Sequence, residues 1–553
     1  MDTDSDLIIR GPKDNSTIPT ESLGKLLLDV IKSSNKDKAI FINGLTGECM
    51  TNGDLMEKSI KLCKFLESGM NLKKGDVMTI VSDNNLWYPV IFLAGFATGI
   101  VVNVINPVYT IGELHRLLNL ADPKLIFCSK EALKSIKQVS KSVESVQKVI
   151  VLTESSYDQI PSIGEVLEQT KVDVNNFKPI DIDVENDTAI ILCSSGSTGF
   201  PKGVEITHKN IRGSIIYMYD PVYAEISSDV TSLILLPMYH IVGTLGTILA
   251  IYSNCLTVVL NAFKPQLFLE TIEKYKIRFL SLVPTVLQFI AKGDLVPQYN
   301  LDSLNYIYSS GYKLDKEIED GLKKRLKNLK RVCQIYGATE LAGGCTMQLL
   351  SRSDIGGCGV LVHGYSAKVC HLKTGEALKR GETGEIRVKG PGIMKGYIKN
   401  EAETKASFDN EGFWKTGDIG YFDEHGALHI VDRLKELIKY KGFQVLLRYQ
   451  TIQKVTSFLF KVAPSELESI LNSHPSVVEA AVVGITDDRV GELPTAFVVK
   501  DENCSVTEKD ISDFVADRVS IQKRLHGGVK FVKELPKSQN GKVLRKTLRE
   551  MAK

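Results

Sequence analysis

Ser194-Ser195-Gly196-Ser197-Thr198-Gly199-Phe200-Pro201-Lys202-Gly203 follows directly on the apolar run TAIILC, residues 188–193. Glycines and small hydroxylated side chains after a buried strand let backbone N–H groups turn inward around an anion; the hydroxyls add donors and Lys202 adds a point charge. The segment reads as a phosphate loop, with Ser194, Ser195, Gly196, Ser197, Thr198, Gly199 and Lys202 as its binding residues. It is not the P-loop pattern, because position 201, where that pattern needs Gly before Lys, is Pro. A Gly/Ser-rich connector alone is more often a plain turn. Ten residues in this order behind an apolar strand tilt the reading to phosphate.

Outward from this loop, short β-branched runs alternate with helical patterns over residues 77–336. The strands expected are VMTIVS (77–82), VVNVI (101–105), LIFCS (125–129), TAIILC (188–193), SLILLP (232–237), LTVVL (256–260), FLSLVP (279–284) and YIYSS (306–310). Apolar runs that do not alternate suit strands covered on both faces. Segments 111–120 and 265–275 carry apolar residues at helical spacing. The fold class implied is α/β: a large N-terminal body with mostly parallel sheets flanked by helices, residues 1–433. After residue 350 hairpin-like strands are expected in 383–397 and 420–432, the latter turning at Glu424-His425-Gly426. A small mobile α+β lid, residues 434–553, follows, with helices at 465–473 and 507–519 and strands at 477–485 and 495–500.

A chain of 553 residues is too long for one ordinary core. Lys and Arg number 68 against 66 acids, so there is no global field for gripping a polyanion, and no nucleic-acid partner is expected. Ten cysteines without a Cys-x-x-Cys pair read as reduced thiols in an intracellular protein, not as zinc ligands or a disulfide framework. Residues 86–105 and 232–260 are greasy enough to be weighed as membrane spans, but the first carries Pro89, Gly95 and Gly99 and runs into Asn106-Pro107, the second holds His240 and Asn254, and a buried helix followed by a buried parallel strand is favoured for both. No transmembrane segment is expected.

Three further clusters bear chemistry. Tyr336-Gly337-Ala338-Thr339-Glu340 ends the apolar run VCQIYG; a hydroxyl beside a carboxylate suits phosphate held together with Mg²⁺, although such a Thr-Glu pair alone is more often a helix N-cap. Thr416-Gly417-Asp418 places a carboxylate at a tight turn, where it can accept both hydroxyls of a ribose. Lys542 sits on a Gly-containing turn in PKSQNGKVLR, residues 536–545, where an isolated lysine is a solvated charge.

In this order, joined by VDRLKELIKYKGFQV (431–445), these segments resemble the adenylate-forming superfamily of acyl-CoA synthetases, 4-coumarate–CoA ligases and beetle luciferases, over roughly residues 20 to 550. The resemblance implies an ATP-dependent acid–CoA ligase acting through an acyl-adenylate, with ATP, Mg²⁺, coenzyme A and a small carboxylic acid as cofactors and partners; a luciferase-like monooxygenase or a non-catalytic nucleotide- or acyl-binding relative is the alternative. Lys542, His240, Lys439 and Thr339 are then catalytic, Lys542 on the carboxylate and α-phosphate and Lys439 in the thioester step. Thr339 holds phosphate and Glu340 the metal; Gln334 and Tyr336 line the adenine slot with Gly337; Asp418 and Arg433 hold the ribose; Lys435 is the hinge. Tyr239, His240, Ser310, Gly311, Gly337, Gly343 and Gly344 bound the acyl site.

The chain departs from that pattern in two places. Leu446–Val462, without Gly, Pro or acid, interrupts FQVAPAELE, and is either a gene-model artefact or an insertion next to Lys439 that weakens the thioester step. Gly343-Gly344 stands where the plant enzymes carry Pro-Val, so a roomier pocket for a fatty or aryl acid is expected. The last residues, Met551-Ala552-Lys553, are one short of a peroxisomal tripeptide; a cytoplasmic location is expected, with peroxisomal as the alternative.

Overall fold

The computed structural model describes residues 7–13, 21–194, 201–352, 356–434, 438–439, 461–462, 464–487, 491–502, 504–519, 523–538 and 541–552. The chain divides into two compact units. One comprises Met1–Ala367, Arg387–Lys415 and His425–Leu428; the other comprises Lys368–Ile386, Thr416–Glu424 and His429–Lys553.

The first unit holds two large sheets. In the seven-stranded one the order is Gly396–Tyr397, Lys202–Thr207, Thr188–Ser194, Val101–Ile105, Val77–Val81, Leu125–Cys128, Lys148–Val151. Its last five strands run parallel and the first two pair antiparallel. In the nine-stranded sheet, strands Ala39–Asn43, Leu256–Val259, Thr231–Ile234, Phe279–Leu282, Tyr306–Ser309 and Arg331–Ala338 are parallel neighbours. Gly343–Met347 and Val360–Leu361 close one edge antiparallel. The expectation of mostly parallel sheets flanked by helices holds, and each of the eight strand expectations lands within one to three residues of its observed bounds.

The two greasy stretches resolve as the burial argument requires. Trp87–Thr98 is a helix buried at every position, ended by Gly99 in the left-handed region (φ 65°), and Val101–Ile105 is a strand buried throughout. In the second stretch, helix Ile241–Ser253 leads into strand Leu256–Val259. Among the described residues no helix is long and apolar enough to cross a membrane. Helix Ile111–Ala121 starts at Thr110, whose hydroxyl and Glu113 form a reciprocal capping box, and buries Leu114, Leu117 and Leu118.

Strands Ser366–Cys370, Gly384–Lys389, Trp414–Phe422 and Leu428–Arg433 are sheet neighbours in that order, and each has residues in both units. The last two make the expected hairpin, with Gly426 at φ 77° in its turn. Past Arg433, Val477–Asp487 pairs antiparallel with Gly491–Lys500, which pairs parallel with Val529–Phe531. Helices Pro464–Asn472 and Glu508–Ala516 pack Leu467, Leu471, Ile511 and Val515 onto this sheet.

The hairpin expected in 383–397 is not there. Gly384–Lys389 and Gly396–Tyr397 belong to different sheets, and Gly396 and Tyr397 pair with Glu205 and Val204. The chain can cross between them because Gly390 and Gly392 lie against Tyr365: a Cβ on either would sit 2.3 Å or 2.1 Å from that side chain.

Candidate functional site

The loop that opens the sequence argument joins two antiparallel strands of the seven-stranded sheet, Ser194 facing Lys202 across the ladder. Ser195, Gly196, Ser197, Thr198 and Gly199 lie outside the described residues. At the two ends the chemistry is visible. The Ser194 hydroxyl is buried and has no hydrogen-bond partner among the described residues, an unmet donor at the loop's first end. Lys202, its side chain 15 % exposed, is ion-paired with Glu403 and lies over the Tyr397 ring, 4.7 Å from its centre.

Both strands pack against the turn Thr339–Leu341, so the loop and the Thr-Glu box are neighbours within the first unit. Thr339 is not the helix N-cap that a Thr-Glu pair alone more often makes. Ala338 occupies that position without a side-chain bond, and Thr339 is buried as the first residue of a single 3₁₀ turn. The Glu340 carboxylate is half-buried and its Oε1 accepts a hydrogen bond from the Tyr397 hydroxyl at 3.1 Å. Among the described residues no cluster of three or more His, Cys, Asp or Glu can hold a metal. A hard cation here would take Glu340 and share the oxygens of a bound phosphate, which is how Mg²⁺ usually binds.

The neighbouring strand ends supply a third group. Gln334 Oε1 accepts the Leu314 N–H at 3.1 Å, tying strand Arg331–Ala338 to the segment after Gly311 (φ 95°). Ser309 and Ser310 present buried hydroxyls without partners among the described residues. Tyr312 is 39 % exposed, and its hydroxyl accepts the Thr285 N–H at 2.8 Å. It therefore tends the first turn of helix Pro284–Lys292. Tyr336 and Gly337 sit where strand Arg331–Ala338 shifts register against Gly343–Met347. A Cβ on Gly337 would come 2.0 Å from the Gly343 carbonyl.

Gly343 and Gly344 correct the expectation of spare volume. A Cβ on Gly343 would lie 2.7 Å from Leu245 Cδ1 and 3.1 Å from the Tyr217 hydroxyl, and one on Gly344 would lie 2.6 Å from Ile335 Cγ2. The missing side chains are replaced by neighbouring ones, with the Tyr217 hydroxyl accepting the Gly344 N–H at 2.8 Å. Backbone at φ 135° at Gly343 adds a second reason for glycine.

His240 is the N-cap of helix Ile241–Ser253, its Nδ1 accepting the Val242 N–H at 3.5 Å. The residue keeps some surface, yet its ring is enclosed, and burial pushes its pKa down to about 4, so it is neutral at pH 7. Its loop is held by Asn84, a residue the sequence does not single out. The Asn84 amide donates to the carbonyls of Leu235, Leu236 and Leu260 and accepts from the Met238 N–H. Tyr239 has its hydroxyl pushed upward by burial and by the nearby Asp83 carboxylate.

In the second unit, Asp418 lies within strand Trp414–Phe422 and not at a tight turn. Gly417 (φ 69°) kinks that strand locally, and the Asp418 N–H donates to the Thr416 hydroxyl at 2.9 Å. Asp418 Oδ1 pairs with Arg433 Nε at 3.0 Å, so the two residues matched to ribose binding are in contact. Lys542 sits in a tight loop whose Ser538 N–H donates to the Lys542 carbonyl at 2.8 Å, with Gly541 at φ 72°. Behind it Arg545 forks onto Glu468 (2.6 and 3.0 Å) and anchors helix Arg545–Ala552 to helix Pro464–Asn472. Lys435 lies outside the described residues; Lys439 is placed by its backbone alone, in a two-residue strand opposite Lys461. Of segment 446–462, only Lys461 and Val462 are described.

The family model "AMP-binding enzyme" matches residues 30–398, and "AMP-binding enzyme C-terminal domain" matches residues 466–542. A luciferin 4-monooxygenase of Nipponoluciola cruciata is 35 % identical over 559 aligned residues, covering 100 % of this chain and 98 % of that protein. A probable 4-coumarate–CoA ligase 1 of Dictyostelium discoideum is 37 % identical, covering 97 % and 96 %. Among solved structures, ATP-bound MatB from Rhodopseudomonas palustris superposes with a TM-score of 0.84 at 25 % identity, covering 96 % of this chain and 100 % of that one.

Proposed function

This chain belongs to the AMP-binding, adenylate-forming enzymes, and from that premise we propose that it is an acid–CoA ligase that activates a fatty or aryl carboxylic acid with ATP. The observation that supports this reading most is the grouping in the first unit: the orphaned Ser194 hydroxyl, Lys202, Thr339 and Glu340 stand around one turn.

In the first half-reaction the carboxylate oxygen attacks the α-phosphorus and pyrophosphate leaves. Two anions approach each other, and fixed donors and cations must offset the repulsion. Ser194 and its loop receive phosphate oxygens, Lys202 and Lys542 supply positive charge, and Thr339 donates its hydroxyl. Glu340 would hold Mg²⁺, which draws charge from the leaving phosphates. Asp418, steadied by Arg433, accepts the ribose hydroxyls. Gln334, Tyr336, Gly337, Ser310 and Gly311 border the base and the acyl carbonyl. His240, neutral at pH 7, adds no charge to the attacking carboxylate. In the second half-reaction the thiol sulfur of coenzyme A attacks the acyl carbon and AMP leaves, with Lys439 in attendance. Residues 1–433 form the nucleotide-binding body and 434–553 present Lys542 and then Lys439, with Lys435 as the hinge.

A second reading, oxidation of a luciferin-like acid, draws on the full-length similarity to a luciferin 4-monooxygenase. Hydroxamate trapping with ATP, Mg²⁺ and a panel of fatty, hydroxycinnamic and other aryl acids tests the proposal. Trapped hydroxamate, followed by thioester on adding coenzyme A, is the expected result. Light without thioester favours the second reading. No pyrophosphate–ATP exchange with any acid leaves a non-catalytic binding protein.

A further inference from the structure

Tyr397 is absent from every motif that the sequence offers, yet it touches two of the groups just assigned. It sits in the two-residue strand Gly396–Tyr397, opposite Val204 on the strand that Lys202 begins. Residues two apart on a strand share a face, so Lys202 and the residue facing Val204 are diagonal neighbours. The Lys202 ammonium accordingly lies over the Tyr397 ring face, and the Tyr397 hydroxyl donates to Glu340. The same segment is pinned at its other end, where the Met394 N–H donates to the Glu340 carbonyl at 2.9 Å. Four residues on begins helix Glu401–Ala406, which carries Glu403 into an ion pair with the Lys202 ammonium.

We propose that Tyr397 is a positioning residue that fixes the Lys202 cation relative to the Glu340 carboxylate, and that Glu403 is a resident counter-ion which a triphosphate must displace from Lys202. This rests on the reading of the site as one for ATP. The division of labour follows from exposure. The Glu403 side chain is 40 % exposed, so it can be released to water at small cost. The Lys202 ammonium is enclosed and keeps the ring beneath it whichever anion it faces. The Tyr397 side chain is buried and its hydroxyl is kept protonated by burial and by the Glu340 charge, so it remains a donor to that carboxylate.

Calorimetric titration of the full chain with ATP, with and without Mg²⁺, tests both parts without turnover. Tyr397→Phe keeps the ring and loses the hydroxyl: the Mg²⁺-dependent gain in ATP affinity is expected to shrink about fivefold, with Mg²⁺-free affinity unchanged. Tyr397→Leu is expected to weaken ATP binding in both conditions. Glu403→Gln removes the competitor and is expected to tighten ATP about threefold to fivefold. Melting temperatures separate these effects from misfolding. A Tyr397→Phe protein with the wild-type Mg²⁺ effect overturns the positioning role; Glu403→Gln with equal or weaker ATP binding overturns the counter-ion role. A wild-type chain that binds ATP but activates no acid leaves this inference standing and removes the ligase reading. A folded chain that binds no ATP removes both.

Discussion

Two histidines show how burial turns into pH behaviour. The His208 Nδ1 accepts the Leu23 N–H at 3.2 Å, a bond only the neutral ring can make from that atom, and burial pushes its pKa from 6.5 to about 4. His240 is shifted the same way to about 4. Because the folded pKa values lie below the unfolded one, the associated stability is intact above pH 6.5 and erodes as pH falls from 6.5 to 4. For His208 alone the loss is about 3 kcal/mol. Melting temperature should therefore fall steadily through that window, and His208→Asn, which keeps an acceptor for Leu23 but cannot titrate, should flatten the decline. At this scale the sequence singled out Asp418 and Arg433 separately but not their pairing, because their contact depends on two strands lying side by side. Gly343 and Gly344 were misread as space, because a sequence does not say whether a neighbour such as Tyr217 fills the room a small residue leaves.

Among elements, the loop bearing Lys542 is only as steady as the helix behind it. Arg545 joins that helix to Glu468 through two bonds and donates to the Val482 carbonyl, with both charged side chains less than a fifth exposed. Arg545→Ala should lower stability of the second unit by about 1.5–3 kcal/mol, read by denaturant unfolding, and should slow pyrophosphate release more than it raises KM for the acid. The strands and helices here were visible in the sequence because apolar runs and 3.6-residue spacing persist over several turns. Gly396–Tyr397 was not: two residues carry no periodicity, and their partner lies almost two hundred positions upstream. The same brevity hid the Tyr397 link between Lys202 and Glu340.

For the whole molecule, the α/β class followed from alternation along the chain, whereas the make-up of the second unit did not. That unit gathers three separate stretches, and no composition shift marks where Lys368 or Thr416 enters it. The two half-reactions test the molecule as a whole. In the full chain, pyrophosphate release is expected to outpace thioester formation, and deletion of residues 446–462 should raise the second rate while leaving the first intact. Equal efficiency of both steps in the undeleted protein would remove that assignment.

Asp432 adds a consequence for stability. It accepts the Ser465 N–H and hydroxyl across 33 positions, so the end of strand Leu428–Arg433 is fastened to the first turn of helix Pro464–Asn472. Ile438 and Val462 are paired inside that clasp. With strand end and helix start fastened through one carboxylate, Asp432→Ala should free both elements at once, and denaturant unfolding should show the second unit weakened by about 1–3 kcal/mol.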